Sequence, residues 1–303
     1  MAMTRLARWA ARSPAPVFAA IGPGRQAETE RLLARPGLRR AATPRDAAIL
    51  LVAGDLPGDT AEALSHVHDQ LPHPRATLRW QADAPDAIAA RIETAWRDIC
   101  AGERDEDDHL PDEPPNAWKG IGPHGQGGKG MMGGTPYGRP MAMTGTDIRD
   151  GLRLDRYTAR FGPFLPMLPP GLVLQVTLQG DVICDLDVQA PPLAQAADAD
   201  APDLCAARML RLLGLDRAAH RVMHGQSARA LWLRGAVPKR IGRIDGTSAR
   251  DRLIAWLAGD TVSVAPPDLP ALLHGAEWAE AMLILASLPP SALIRAARGV
   301  EAA

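Results

Sequence analysis

The chain is poor in cysteine: Cys100, Cys184 and Cys205 are its three, and they lie far apart. None forms a CxxC pair, so the chain alone cannot offer four thiolates to an iron–sulfur cluster or a structural zinc. Disulfide staples are not expected either. Cys100 closes a predicted helix and Cys184 sits in an alternating apolar run, so both read as small core hydrophobes. An excess of one charge sign is also lacking. The 34 Lys and Arg against 35 Asp and Glu leave a net charge of −1, so no global field recruits nucleic acid or anionic lipid. No apolar run reaches the roughly 18 residues of a membrane span. The start, MAMTRLARWAARSPAP, is too short and too interrupted for the apolar part of a secretory signal. Two readings of it stay open, a small amphipathic helix that touches a membrane or partner and a frayed basic terminus. With no export signal, the cytoplasm is the expected location.

Standard catalytic signatures are missing as well. Gly22-Pro23-Gly24 precedes a helix but matches neither GxGxxG nor GxxxxGK[ST], and Pro23 removes an amide that would cradle a phosphate. His220 and His224 are four apart, a spacing that puts both on one helix face. Arg221, Val222 and Met223 stand between them, so the HExxH glutamate is absent. A solvated or packed pair is the expectation.

What is present is a chain of 303 residues, 46% apolar, with 28 glycines and 28 prolines. That length suggests about two domains. Residues 17–100 alternate strand and helix: VFAAIG, a helix from about Gln26 to Ala34, AAILLVAG, a helix capped by Asp59 or Thr60 and stopped by Pro72, ATLRW, then a helix over 83–100 with Ile88, Ile92, Ala95, Trp96 and Ile99 on one side. Such alternation predicts a small parallel sheet with helices on its faces. Ligands of such sheets bind beyond the carboxyl ends of strands, here Gly22 to Gly24 and Gly54-Asp55.

ERDEDDHLPDEPP (103–115) is acidic and proline-rich and reads as a solvated linker. It lacks the spacing of a calcium loop. The segment 120–145 is rich in glycine, which makes it costly to order. It carries His124, Lys129, Tyr137 and Arg139, with Met131, Met132, Met141 and Met143 as adaptable contacts. It reads as a loop docked on a partner, with a flexible linker as the alternative.

Downstream, Leu172, Leu174, Val176 and Leu178 alternate with Val173, Gln175, Thr177 and Gln179; after Gly180-Asp181, Val182, Cys184, Leu186 and Val188 alternate with Ile183, Asp185 and Asp187. Period-2 alternation about a short turn predicts a β-hairpin with one buried face. Residues 191–203 read as a loop. Helices are expected over 204–215, 216–234, from a cap at Thr247 or Ser248, and over 273–288 as one buried helix. A basic loop before the third carries Lys239, Arg240 and Arg243. The expected class is α/β plus α+β. A small parallel-sheet unit (1–102) is followed by an acidic then glycine-rich linker (103–150). A β-hairpin and a mainly helical region (151–303) complete the chain.

The stretch DAAILLVAGDLPGDTAEALSHVHDQLPHPRATLRW (46–80) resembles the small, cluster-carrying subunit shared by respiratory complex I and the NiFe hydrogenases, whose strand, glycine loop, helix and proline turn it follows through Pro72-His73-Pro74-Arg75. The cysteines that this family places after such strands are absent at Gly54-Asp55 and at Trp80-Gln81-Ala82. GPFLPMLPPGLVLQVTLQGDVICDLDVQ (162–189) resembles the opening of the 49-kDa-type large subunit, with Leu165 where that family has a histidine on the quinone side. The resemblance implies a degenerate fusion of small and large subunits. No catalytic, cofactor or metal residue carries over.

It further implies a non-catalytic structural or assembly subunit of a complex-I-like or hydrogenase-related complex, of the energy-converting kind, peripheral on the cytoplasmic face of the inner membrane. Partners would include membrane subunits of the proton-pumping type, with any iron–sulfur clusters on neighbouring subunits and no nucleic acid bound. Interface residues would be His124, Lys129, Met131, Met132, Tyr137, Arg139, Lys239, Arg240 and Arg243. Two alternatives stand beside it. One is a maturation factor that holds metal transiently through Cys184, Cys205, His220 or His224. The other is a stand-alone nucleotide-binding enzyme that uses Gly22 to Gly24.

Overall fold

A computed structural model of the chain describes residues 11–103, 144–145, 151, 153–226 and 235–301. The two longest apolar runs of the first unit form β1 (Ala15–Ile21) and β3 (Ile49–Ala53), buried at every position. Strands covered on both faces read as continuous apolar runs, not alternating ones. In chain order the unit runs β1, α1 (Gln26–Leu33), β2 (Leu38–Arg40), β3, α2 (Ala61–Gln70), β4 (Ala76–Trp80) and α3 (Pro85–Ala101). All strands pair in parallel in the order β2-β1-β3-β4. The edge strand β2, Leu-Arg-Arg, is an addition to the three strands expected. Its one apolar side chain leaves no periodic signal. Helices α1 and α3 cover one face, where Leu32, Ile88 and Ile92 meet Val17, Ile21 and Leu51. Helix α2 lies over the other, with Leu64 and Val67 against Phe18, Leu50 and Val52. Each such side chain fully buried contributes roughly 1.5–3 kcal/mol.

The second unit opens with an antiparallel sheet, β5 (Arg156–Phe161), β6 (Val173–Gln179) and β7 (Val182–Ala190), in that order. The expected hairpin is β6-β7, turning at Gly180 with φ 63°. β5 was not foreseen, since Arg156, Thr158 and Arg160 are exposed and the strand lies at the edge. The buried face of the hairpin also differs from simple alternation. Val176 pairs with Leu186 and Thr177 with Asp185, but Leu178 pairs with Ile183, so Cys184 is skipped. This is a β-bulge, which shifts the phase of one strand by a residue. Ile183, not Cys184, therefore joins Leu174, Val176 and Leu186 in the core. Cys184 is only half-buried, and so is Cys100; of the three thiols Cys205 alone is a core residue.

Among the described residues six helices follow: α4 (Pro202–Leu212), α5 (Asp216–Met223), α6 (Ala249–Ala258), α7 (Leu269–Leu273), α8 (Trp278–Ala286) and α9 (Pro290–Glu301). Ser248 caps α6 in a reciprocal capping box with Asp251. The single helix expected over 273–288 is broken. At Gly275 the backbone leaves the helix with φ 79°. Its amide donates to the Ile183 carbonyl at 2.8 Å, and the Ile183 amide donates to the Ala276 carbonyl at 2.9 Å. Pairing with β7 thus displaces a helical turn. Among the described residues no single helix is long and apolar enough to cross a membrane. The pair α8 and α9 is so only when taken together, and it is bent by 113°.

The units are packed on one another. Gly162, at φ 111°, turns the chain where a Cβ would overlap the Leu172 carbonyl. The turn sends Phe164 into the core of the first unit, among Phe18, Leu50, Val52 and Leu71.

Candidate functional site

The strand order reverses between β1 and β3, and the crevice beyond their carboxyl ends is where an open α/β sheet takes a ligand. Its floor is tight. A Cβ on Gly22 would lie 2.9 Å from the Asp55 carbonyl oxygen and 3.0 Å from that of Ala53. Its mouth is filled by the chain itself. The Gly24 amide donates to the Ala194 carbonyl at 2.9 Å. The Gln26 amide, in the first turn of α1, donates to Gln195 Oε1 at 3.0 Å, and Gln195 Nε2 donates to the Gly22 carbonyl at 3.3 Å. The free amides of a helix N-terminus are what a phosphate would take, and here a carboxamide takes one of them. Arg25 lies over the Trp80 ring at 4.4 Å and pairs with Glu28 at 2.8 Å. Gln81 donates to Asp55 at 2.8 Å.

Residues 191–201 therefore act as a strap across the seam. Asp198 in it pairs with Arg31 at 2.7 Å, and Asp200 accepts from the Ser291 amide at 3.0 Å, at the start of α9. Beside the strap lies a cleft of about 610 Å³, with α2 on one side and β5 and α9 on the other. Its charged lining is Asp59, Glu62, His66, Arg160 and Arg298.

On the far side of α1 the seam is ionic. Glu30, 5% exposed, bonds to Arg40 of β2 and, at 2.6 Å, to Arg211 of α4. Arg40 also donates to the Pro166 carbonyl at 3.0 Å. Burial pushes the Glu30 carboxyl up, but the Arg40 and Arg211 guanidiniums outweigh it and hold its pKa below the usual value. Burial pushes Arg40 down; Glu30 opposes this, while Arg211 and Arg208 add to it. Nothing in the sequence signalled this cluster. Glu30 sits in a short helix with the composition of a surface helix, and its partner Arg211 is 181 positions away.

His220 of α5 and His224, the residue that ends that helix, do lie side by side. Their rings meet edge to face at 4.4 Å, and His224 Nε2 lies 2.9 Å from the Ala34 carbonyl oxygen. Partial burial lowers the His220 pKa, helped by His224 and Arg211. The pair is a packing contact at the seam. Among the described residues no three His, Cys, Asp or Glu side chains gather in a way that would hold a metal ion. Burial pushes the Cys205 thiol up to about 11, which leaves it protonated and inert at neutral pH.

Of the interface residues expected from sequence, His124, Lys129, Met131, Met132, Tyr137 and Arg139 lie outside the described residues. Lys239, Arg240 and Arg243 lie in the loop before α6 and are exposed. That loop is braced from within. Val237 is fully buried, Ile241 and Ile244 pack on the core, and Arg252 donates to the Gly242 carbonyl at 2.8 Å. The three cations therefore stand on a fixed backbone. Comparison with known proteins finds no matching family model, no similar curated protein and no similar solved structure.

Proposed function

We propose that this chain is a non-catalytic structural and assembly subunit of a redox complex related to complex I or the energy-converting hydrogenases. The observation that carries the reading is the closure of the ligand end of the parallel sheet by Ala194 and Gln195. A sheet that spends its ligand crevice on an internal strap is suited to holding two units together rather than to turning over a substrate. The two stretches that resemble the small and large subunits meet at this seam, one as β3-α2-β4 and the other as the Phe164 loop with β6-β7. The braced basic loop at Lys239, Arg240 and Arg243 supplies a surface for an acidic partner or for lipid head groups. On this reading the glycine-rich stretch 120–145 docks on a partner, and iron–sulfur clusters belong to neighbouring subunits at the cytoplasmic face of the inner membrane.

The maturation-factor alternative would hold metal transiently through Cys184, Cys205, His220 or His224. Cys205 is 1% exposed with a raised pKa, which weighs against it. The stand-alone enzyme needs the crevice that Gln195 occupies.

The test is affinity isolation of the tagged full chain from detergent-solubilised membranes, with iron measured on the eluate. Membrane subunits and iron are expected to co-elute, and deletion of residues 120–145 is expected to release them. Isolation of the chain alone and free of iron, from membranes and soluble fraction alike, would sink the proposal.

A further inference from the structure

Between the end of α1, β2 and α5 lies a second cleft, of about 490 Å³. This is within the size range of small-molecule sites. Its cationic lining is Arg39 and Arg40 from β2, Arg211 from α4, and Arg217, His220 and Arg221 from α5. Asp216 is the carboxylate in the lining, and Glu30 lies between Arg40 and Arg211. Among the described residues five arginines thus face two carboxylates, which leaves a surplus of positive charge there even with His220 neutral.

The arrangement leaves donors unused. The Arg40 side chain is 9% exposed, yet its Nε is out of solvent and has no hydrogen-bond partner. Arg217 is exposed and makes no hydrogen bond or ion pair among the described residues. Arg39 spends one nitrogen on the Asp46 carbonyl at 3.3 Å. Guanidinium charge that is partly desolvated and under-compensated is costly unless an anion offsets it. The wall beneath is apolar, formed by Leu33, Ala34 and Leu38.

We propose that this cleft binds a small phosphate-bearing molecule. A single guanidinium fork saturates a planar carboxylate. Here donors arrive from three separate elements, an arrangement suited to the several oxygens of a tetrahedral phosphate. The apolar wall admits a short organic part. Because the cleft lies across the seam, its ligand would contact both units. The site is separate from the assembly reading and has its own readout.

The probes are inorganic phosphate and pyrophosphate, titrated calorimetrically into the full chain at low ionic strength. One saturable site is expected, with pyrophosphate tighter than phosphate. The double variant Arg39→Gln/Arg217→Gln changes two exposed side chains and is expected to weaken binding at least tenfold. Arg240→Gln/Arg243→Gln removes the same charge elsewhere and is expected to leave it unchanged. No saturable binding, or equal weakening by both double variants, would overturn the site. A short oligonucleotide that bound more tightly than pyrophosphate would overturn its assignment to a small molecule.

Discussion

At the seam between the two units, buried arginines are compensated by a carboxylate. Arg40 and Arg211 both bond to Glu30. Inside the helical unit, buried arginines are held by carbonyl oxygens. Arg208 donates to the carbonyls of Ala286 and Leu288 at 2.6–3.1 Å. Arg252, 1% exposed, donates to the carbonyls of Gly242, Thr247 and Ser287 and to the hydroxyl of Ser287. Burial lowers its pKa to about 10, so it stays charged at neutral pH. Both arginines gather the oxygens where α8 ends, the negative end of a helix dipole, and they hold the 113° bend into α9. The first device joins two units through a group that titrates. The second joins helices within one unit through groups that do not. Acid therefore weakens the seam through Glu30.

The largest effect is expected from Glu30→Gln. It leaves two guanidiniums buried without a counter-charge, and loss of one partner of a buried pair costs about 3–5 kcal/mol. Urea unfolding measures it; a cost under about 1 kcal/mol would mean that the seam does not rest on charge. The same variant separates the pH behaviour. The lowered pKa of Glu30 means that the unfolded chain binds its proton more readily. This contribution is complete above the usual carboxylate pKa of about 4.3 and is lost as pH falls through the lowered folded-state value. The wild-type chain should thus lose stability in acid more steeply than Glu30→Gln, in paired thermal melts across that range. Parallel acid limbs would break the contrast between the two regions.

Arg252→Leu comes next. It strips donors from the buried carbonyls of Gly242 and Ser287 and from the part-buried carbonyl of Thr247, each unmet buried acceptor costing roughly 1 kcal/mol or more, for a loss of about 2 kcal/mol. Its stability curve should keep the wild-type dependence on acid, since Glu30 is untouched. Ser248→Ala removes the side-chain cap of α6 and should cost about 1 kcal/mol, read from the same unfolding curves. Smallest is the triple variant Lys239→Gln/Arg240→Gln/Arg243→Gln. These side chains are exposed, and such changes usually stay within about 0.5 kcal/mol. Its retention in the proposed membrane complex, measured by co-isolation, should nevertheless fall. Unchanged retention would remove the basic loop from the proposed interface.

Legibility followed how local each signal was. The runs VFAAI and ILLVA announced the parallel strands because burial on both faces needs only the strand's own residues. The turn at Gly180 was legible for the same reason. The phase of β7 was not, since a bulge at Cys184 depends on how β6 pairs with it. The break in the apolar stretch 273–288 was hidden as well, because pairing with Ile183 ends the helix. Of the proposed interface, Lys239, Arg240 and Arg243 could be read directly; the bracing by Val237 and Arg252 could not.

By itself, then, the sequence determined the class of the fold: one unit with a parallel sheet, a hairpin and a helical remainder. Periodicity and turn residues act within a few positions, and those forces are written into any short window. Tertiary structure alone decided that Gln195 occupies the first turn of α1, that Glu30 sits between two arginines from distant elements, and that five arginines share one cleft. Those contacts span separations as large as 181 positions. Their energies come from desolvation and opposite charge, and neither exists until the two units have closed on each other.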